Sequence, residues 1–205
     1  MLEKMDILTN VLVFGGAIMI VVLGAVSSGG EERDTRVATF AGGCFWCMEP
    51  AFDKTEGVIS TTVGYTGGKQ KNPTYEEVCS GNTGHAEAIE VEFDPAVLTY
   101  EALLDVFWTN IDPTTPNRQF CDVGTQYRSA IYYHDEDQKK LAEKTKNDIE
   151  QRLQHVSATE IEAASKFYPA EDYHQDFYKK NPEHYQRYRT GCGRDDRLEQ
   201  LWGKK

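Results

Sequence analysis

Two cysteines three residues apart are the most reactive pair of side chains in the sequence. Cys44 and Cys47 follow two consecutive glycines and enclose two aromatic residues. A short β-leaning stretch precedes the glycines and a helix-compatible run follows, so Cys44 is predicted to lie where a strand passes into a helix. Because a helix N-terminus favours the thiolate, we expect the pKa of Cys44 to be lowered and its sulfur to be nucleophilic. The alternative is a buried structural cysteine in a glycine-rich turn.

A carboxyl group on the stretch 85–93 could supply a proton to such chemistry. This stretch alternates as a strand does, and Glu87 falls on the same face as its large apolar residues. The apolar face must meet the core, so Glu87 is carried inward, where desolvation raises the pKa of a carboxyl group. These features make Glu87 a candidate general acid. The alternative is an inward glutamate paired with a cation, for which His85 or Arg128 could serve.

The composition of the 205-residue chain restricts its class. A hydrophobic fraction of 40% and an aromatic fraction of 11% are sufficient for a domain with its own core. The net charge of −11 argues against nucleic-acid binding, which requires a basic surface. Five cysteines cannot all be paired within one chain, and no second CxxC or HxxxH motif completes a zinc site. We therefore expect no metal and at least one free or exchanging thiol.

An apolar run over residues 7–26 stands apart from the rest of the chain. Its length suffices to cross a bilayer, and the serines and glycines at 27–30 are typical of a linker. A secretory signal peptide and an uncleaved N-terminal membrane anchor both fit this pattern. We favour a domain that is exported or anchored outside the cytoplasm, with the cytoplasmic side of a membrane as the alternative. The predicted division is a signal or anchor segment at 1–30 and a folded domain at 31–205.

Strands and helices are mixed along the folded domain without a regular βα alternation. Strands are predicted at 36–40, 57–63, 85–93, 129–134 and 161–167. Helices are predicted after Cys44 and at 99–109, 135–155 and 171–180. Asp135 is a candidate N-cap for the longest helix, and the polar tail 185–205 is expected to wrap the surface. This order predicts an α+β domain with two layers.

Five motifs occur in order between residues 40 and 182: GCFWCMEPAFDK, GVISTTVGYTGG, PTYEEVCSGNTGHAEAIEVEFDP, CDVGTQYRSAIYY and FYPAEDYHQDFYKKNP. Together they resemble methionine sulfoxide reductase A, and GCFW followed by GHAE is highly specific for that family. The apolar N-terminal run lies outside the resemblance. For the fold, the resemblance implies a two-layer α/β sandwich of the ferredoxin-like plait type with a mixed sheet, and an apolar N-terminal helix outside the domain.

The resemblance assigns roles to individual positions of this chain. Cys44 matches the nucleophile of the family, and Glu87 matches the carboxyl group that protonates the sulfoxide oxygen. The aromatic pair that holds the substrate methyl group corresponds to Phe45 and Trp46. The polar groups that bind the sulfoxide oxygen, directly or through water, correspond to Tyr75, Asp122 and Tyr127.

The reaction implied by the resemblance is the reduction of methionine S-sulfoxide, free or in proteins, and hence the repair of oxidised proteins. The Cys44 thiolate attacks the sulfoxide sulfur, Glu87 protonates the oxygen, and Cys44 is left as a sulfenic acid. A second thiol condenses with it to a disulfide, which thioredoxin or a thioredoxin-like reductant restores to a dithiol by exchange. No cofactor is required, and a monomer is expected.

Two cysteines are candidates for the second thiol. Cys47 is about one helical turn from Cys44, which makes their sulfurs neighbours. Cys192 lies between two glycines in the C-terminal tail, which gives it freedom to reach the site, and it resembles the tail cysteine that some family members use. We favour Cys192, with Cys47 close behind and a relay through both as a third route. Cys79 and Cys121 are expected to be buried structural thiols.

Two other functions compete with this interpretation. A thioredoxin-like thiol–disulfide oxidoreductase also places a CxxC motif at a helix start, but it would act on protein disulfides and would not need Glu87. The Phe-Trp pair between the cysteines and the order of the downstream elements argue against it. A membrane-tethered module that binds methionine side chains in an aromatic pocket is the non-enzymatic alternative, and it would tolerate Cys44→Ser.

Overall fold

The computed structural model describes residues 34–203 of the chain. Within this range the elements follow in the order β1 (Arg36–Gly42), α1 (Phe45–Asp53), β2 (Val58–Thr66), α2 (Tyr75–Cys79), β3 (Ala86–Phe93), α3 (Tyr100–Trp108), β4 (Arg118–Gln119), β5 (Asp122–Val123), β6 (Ser129–Tyr133), α4 (Glu136–Leu153), β7 (Glu160–Ala163), β8 (Tyr168–Pro169), α5 (Phe177–Lys180), α6 (Pro182–Gly191) and α7 (Arg194–Trp202). A 3₁₀ turn at Thr125–Tyr127 precedes β6. The predicted apolar helix and the boundary at residue 30 lie outside the described range.

Six strands form one sheet with the order β7-β6-β1-β3-β2-β8. The pairs within β6-β1-β3-β2-β8 are antiparallel, whereas the edge strand β7 runs parallel to β6. A separate hairpin joins β4 and β5. The prediction of a mixed α/β fold with a mixed sheet is therefore confirmed.

A stack of aromatic rings fixes α1 and α3 on one face of the sheet. The ring of Phe40 on β1 stacks against Phe52 of α1 and against Phe107 of α3, each at 5.2 Å between centroids. All three rings are fully buried. Burying one such side chain stabilises a fold by about 1.5–3 kcal/mol, so this cluster holds the last turn of α1 and the end of α3 against β1.

The opposite face of the central strands carries small residues. Ala86 and Ala88 on β3 point away from the aromatic cluster and pack with Tyr132, under the partly buried Ala164 and Phe167. The alternation of β3 thus places Glu87 on the other face, with Ile89 and Val91. This is the face that the sequence pattern predicts for Glu87.

The last third of the chain departs from the sequence prediction. The strand expected at 161–167 is the shorter β7, and only the last four residues of the helix expected at 171–180 are helical. The tail expected to wrap the surface forms α6 and α7 instead, because Pro182 fits the first turn of α6. Within residues 34–203, no helix is long and apolar enough to span a membrane.

Candidate active site

Two glycines place Cys44 at the N-terminus of α1. Gly43 has φ +79°, and a Cβ atom on it would lie 2.4 Å from Cβ of Gln119. A Cβ atom on Gly42 would lie 2.6 Å from the sulfur of Met48. Larger residues would therefore push the strand end away from the helix, and glycine lets Cys44 occupy the N-cap position.

Glu87 lies directly below the first turn of α1. One of its carboxyl oxygens, Oε2, accepts a hydrogen bond from the backbone N–H of Phe45 at 3.1 Å, and the side chain is 2% exposed. Burial raises the pKa of Glu87 to about 8, against the lowering effect of the Phe45 N–H. At neutral pH this carboxyl group is therefore mostly protonated and can donate a proton.

The two side chains considered as partners of Glu87 have other partners. Nδ1 of His85 accepts from the N–H of Gly68, and its other ring nitrogen contacts the carbonyl oxygen of Gln70. The guanidinium of Arg128 forms an ion pair with Glu160 at 3.0 Å. The alternative of a structural cation–glutamate pair is thus not realised at Glu87.

The thiols of Cys44 and Cys47 are hydrogen-bonded to each other, and their pKa values move apart. Burial, followed by the contact with Cys47, raises the pKa of Cys44 well above its ordinary value. The hydrogen bond with Cys44, assisted by Arg194 and Arg189, lowers the pKa of Cys47 to about 7. The expected lowering at Cys44 is wrong for this closed site, because loss of water outweighs the helix N-terminus.

Aromatic rings line one side of the site. The indole of Trp46 stacks on Phe177 with 3.7 Å between centroids, and its N–H donates to Nδ1 of His174 at 3.0 Å. The ring of Phe45 is buried beneath, 5.0 Å from the imidazole of His174. The quoted motif YHQDFY contains His174, but sequence reasoning gave this histidine no role.

The three predicted oxygen-binding residues come from separate elements and gather around Glu87. Tyr75 begins α2, Asp122 begins β5 and Tyr127 ends the 3₁₀ turn. Burial raises the pKa of Tyr75 and of Tyr127, and at Tyr127 the charge of Glu87 is the next cause. Both hydroxyl groups therefore stay protonated and can donate hydrogen bonds. Burial also raises the pKa of Asp122.

A residue that sequence reasoning missed, Tyr188 of α6, reaches into the site. Its hydroxyl group donates to Oδ2 of Asp122 at 2.5 Å and also interacts with the thiol of Cys44. Its ring meets Trp46 edge-on with 5.9 Å between centroids. Tyr185 and Tyr188 are spaced by three residues, as the inner face of a helix requires, and this spacing was the available signal.

Cys121 and Cys192 are joined in a disulfide near the site, with 5.0 Å between their Cα atoms. Cys121 is exposed because it lies in the turn of the β4–β5 hairpin, and the free thiol of Cys79 is exposed at the end of α2. The expectation that both are buried structural thiols is therefore wrong. Cys192 is bonded here to Cys121, while Cys44 and Cys47 are both free thiols.

A possible metal-ligand cluster within residues 34–203 is formed by Cys121, Asp122 and Cys192. Their candidate ligand atoms lie within 4.8 Å of one another. Because the two sulfurs are bonded to each other, they offer no thiolate in this state, and the cluster does not match a thiolate metal site.

Comparison with known protein families gives a match over the whole described domain. The family model described as peptide methionine sulfoxide reductase matches residues 36–205. The chain is 53% identical over 177 residues to the peptide methionine sulfoxide reductase MsrA of Bacillus licheniformis, covering 85% of this chain and 97% of the relative. It is 53% identical over 171 residues to the MsrA of Bacillus subtilis, covering 82% and 97% of the two chains.

Solved structures resemble the chain over a similar range. Mxr1 from Saccharomyces cerevisiae in reduced form has a TM-score of 0.70 and 36% identity, covering 73% of this chain and 87% of its own. Methionine sulfoxide reductase A of Corynebacterium diphtheriae has a TM-score of 0.67 and 36% identity, covering 75% and 77%. Mxr1 in complex with Trx2 has a TM-score of 0.51 and 27% identity, covering 70% and 84%.

Proposed function

Because the chain belongs to the peptide methionine sulfoxide reductase family, we propose that Cys44 is its nucleophile and Glu87 its proton donor. The protein is a peptide-methionine (S)-S-oxide reductase, an oxidoreductase that uses thiols to reduce methionine S-sulfoxide, free or in proteins. The observation that carries the assignment is the buried carboxyl group of Glu87, which accepts a hydrogen bond from the N–H of Phe45, the residue that follows Cys44.

The substrate is oriented by two kinds of contact. Its methyl group lies against the aromatic wall of Phe45 and Trp46, which offers apolar surface at the sulfur of Cys44. Its oxygen points to Glu87 and receives hydrogen bonds from the hydroxyl groups of Tyr75 and Tyr127. These donors are fixed before the reaction and are directed at the atom on which negative charge develops.

The raised pKa of Cys44 means that its thiol must lose a proton during the reaction, and Cys47 is positioned to accept it. As the sulfur of Cys44 attacks the sulfoxide sulfur, its proton passes along the existing hydrogen bond to the Cys47 thiolate, whose pKa is about 7. Glu87 protonates the sulfoxide oxygen, the oxygen is transferred to Cys44 as a sulfenic acid, and methionine leaves. Two electrons thus move from the Cys44 sulfur to the sulfoxide.

Recycling begins at the buried pair and ends at the surface. The thiol of Cys47 condenses with the sulfenic acid of Cys44, which releases water and forms a disulfide. Cys192 exchanges with this disulfide and passes it to Cys121, whose exposed position makes the final disulfide accessible to a protein dithiol. Thioredoxin is the reductant implied by the family and by the complex of Mxr1 with Trx2.

Further expectations concern the whole molecule. We propose that the strand order β6-β1-β3-β2, with α1 and α3 on one face, constitutes a ferredoxin-like plait. We also propose a monomer whose residues 7–26 direct the domain at 31–205 to an anchored or exported location outside the cytoplasm. Fractionation of cells that produce the full chain tests the location, and light scattering of the purified protein tests the oligomeric state.

Substitution of the two central residues tests the proposed chemistry. In the full chain, Cys44→Ser is expected to abolish reduction of an N-acetyl methionine S-sulfoxide amide by dithiothreitol. Glu87→Gln is expected to lower kcat by about 10²–10⁴-fold, because general acid catalysis contributes a factor of this size. Glu92→Gln, which alters a carboxyl group on the opposite face of β3 from Glu87, is the control. Turnover by Cys44→Ser would refute the assignment.

A further inference from the structure

Tyr188 contacts residues that the proposed function assigns to the bound sulfoxide. Its hydroxyl group is bonded to Oδ2 of Asp122, one of the predicted oxygen-binding groups, and its ring faces Trp46, the predicted contact of the substrate methyl group. The same hydroxyl group interacts with the thiol of Cys44. The side chain of Tyr188 thus contacts three groups that the proposed function assigns to the reaction.

The helix that carries Tyr188 is attached to the domain through partly exposed side chains. None of the residues of α6 is buried. Gly191 and Gly193 flank Cys192 at the end of this helix, and a Cβ atom on either glycine would meet nothing within 4 Å. Free space and two glycines at this point allow the helix to swing away from the site.

The disulfide is the covalent connection between this helix and the loop that it covers. Cys192 follows Tyr188 by four residues, and Cys121 directly precedes Asp122. The N–H of Cys121 also donates to the sulfur of Cys192 at 3.2 Å. The bond therefore fixes Tyr188 next to the carboxyl group to which its hydroxyl donates.

We propose that Tyr188 is an internal occupant of the sulfoxide pocket, held there by the Cys121–Cys192 disulfide, and that reduction of this disulfide opens the pocket to substrate. The opening step is a thiol–disulfide exchange in which an external dithiol, such as thioredoxin or dithiothreitol, is oxidised and Cys121 and Cys192 become thiols. This inference rests on the proposed function, because it concerns access to the same site.

The closed pocket has a role in the catalytic cycle. When the disulfide reaches Cys121 and Cys192, the Cys44–Cys47 pair is reduced again but Tyr188 covers it. The next sulfoxide is admitted only after the external reductant has acted. Cys44 and Cys47 are therefore not oxidised again until Cys121 and Cys192 are thiols that can accept the next disulfide.

A binding measurement separates access from chemistry. The full chain carries Cys44→Ser, so that it binds substrate without turnover. It is prepared once with Cys121 and Cys192 as thiols and once with the disulfide between them, and peptide mapping verifies each state. Binding of N-acetyl methionine S-sulfoxide amide is then measured by calorimetry. We expect affinity to be weaker by about tenfold or more in the oxidised form, because the pocket is open in only a small fraction of molecules.

Two further substitutions identify the cause of the difference. Adding Tyr188→Ala, or the milder Tyr188→Phe that removes only the hydroxyl contact with Asp122, is expected to reduce the ratio of affinities towards one. Adding Cys121→Ser should give the reduced-state affinity under both conditions. Tyr185→Phe on the same helix, whose hydroxyl group accepts from Arg189 rather than contacting the pocket, should leave the ratio unchanged.

The outcomes distinguish this proposal from the proposed function. Equal affinity in the oxidised and reduced forms, with wild-type turnover intact, would overturn the internal occupant and leave the reductase. Weaker binding after Tyr188→Ala in both redox states would make Tyr188 a wall of the pocket and would also overturn the proposal. If neither the oxidised nor the reduced form binds the sulfoxide and the wild type shows no turnover, both the internal occupant and the proposed reductase function are refuted.

Discussion

The floor and the cover of the site are built on different physical principles. The floor, formed by Cys44 at the start of α1 and Glu87 on β3, rests on fully buried aromatic and aliphatic side chains. The cover, formed by α6 and α7, is polar and attaches through hydrogen bonds, one buried arginine and one disulfide. The group that reacts is thus placed by the core, and access to it is controlled by contacts that can be broken.

This difference explains where each kind of perturbation should act. Substitutions in the floor change which buried groups carry a proton. Their effects should appear in the free energy of unfolding and in kcat. Changes in the cover leave the core intact and should appear in substrate access, recycling and local stability. Elements that move during function are drawn from parts of a fold with few buried side chains, and α6 has no buried residue.

The largest effect is expected from the buried acid of the floor. The folded carboxyl group of Glu87, with a pKa of about 8, keeps a proton that the unfolded one releases near 4.5. Wild-type stability should therefore fall relative to Glu87→Gln as the pH rises from about 4.5 to 8, by up to roughly 4–5 kcal/mol. Urea unfolding at pH 5 and pH 8.5 measures this difference.

A control on the same strand tests the origin of that pH dependence. Glu92 is only partly buried and lies on the opposite face of β3. Glu92→Gln leaves Glu87 in place and should therefore retain the fall in stability between pH 5 and pH 8.5. A Glu87→Gln protein with the same pH dependence as the wild type would mean that Glu87 is ionised in the fold, and the floor would then lack its acid.

An intermediate effect is expected from the cysteine of the cover. Cys192→Ser should lower thioredoxin-driven turnover by about a hundredfold, because the buried pair can no longer pass its disulfide to the surface. Turnover with dithiothreitol, which is small enough to enter, should be much less affected. Comparing steady-state rates with the two reductants checks this. No loss with either reductant would make Cys47 the sole resolving residue, and an equally large loss with both would mean that Cys192 resolves Cys44 directly.

A smaller effect is expected from the buried arginine of the cover. Arg194 is 1% exposed and donates to the carbonyl oxygens of Asn110 and Gly42. Arg194→Ala should lower the free energy of unfolding by about 1–3 kcal/mol, because these carbonyl groups lose their partner. The exposed Arg187, paired with Glu183 on α6, should contribute within about 0.5 kcal/mol when replaced by alanine. Denaturant titrations compare the two.

The sequence predicts the floor better than the cover, for a physical reason. Alternation along β3 is a local signal, and it predicts the inward direction of Glu87 before any fold is known. The two glycines before Cys44 likewise mark a tight strand-to-helix turn. The sign of the pKa shift at Cys44 could not be predicted in this way, because it depends on burial by distant parts of the chain.

The cover depends on contacts that no local pattern encodes. Cys121 and Cys192 are 71 residues apart, and their pairing follows from the placement of a hairpin and a tail helix. Polar composition suggested a surface tail, although its charged side chains bind carbonyl groups and rings of the domain. Between 171 and 176 the aromatic spacing suggested a helix, but Asp176 adopts φ +54°, and the helix starts only after it.

The edges of the sheet matter for the kind of molecule that this protein meets. Oxidised proteins present loosened strands that seek hydrogen-bond partners, and an exposed sheet edge would bind them without discrimination. Here β7 closes one edge with four residues, of which Glu160 and Glu162 are charged, and β8 closes the other with only two. Pro169 removes one donor from that second edge. Edge strands this short and this charged offer few free backbone donors and acceptors to a loosened chain.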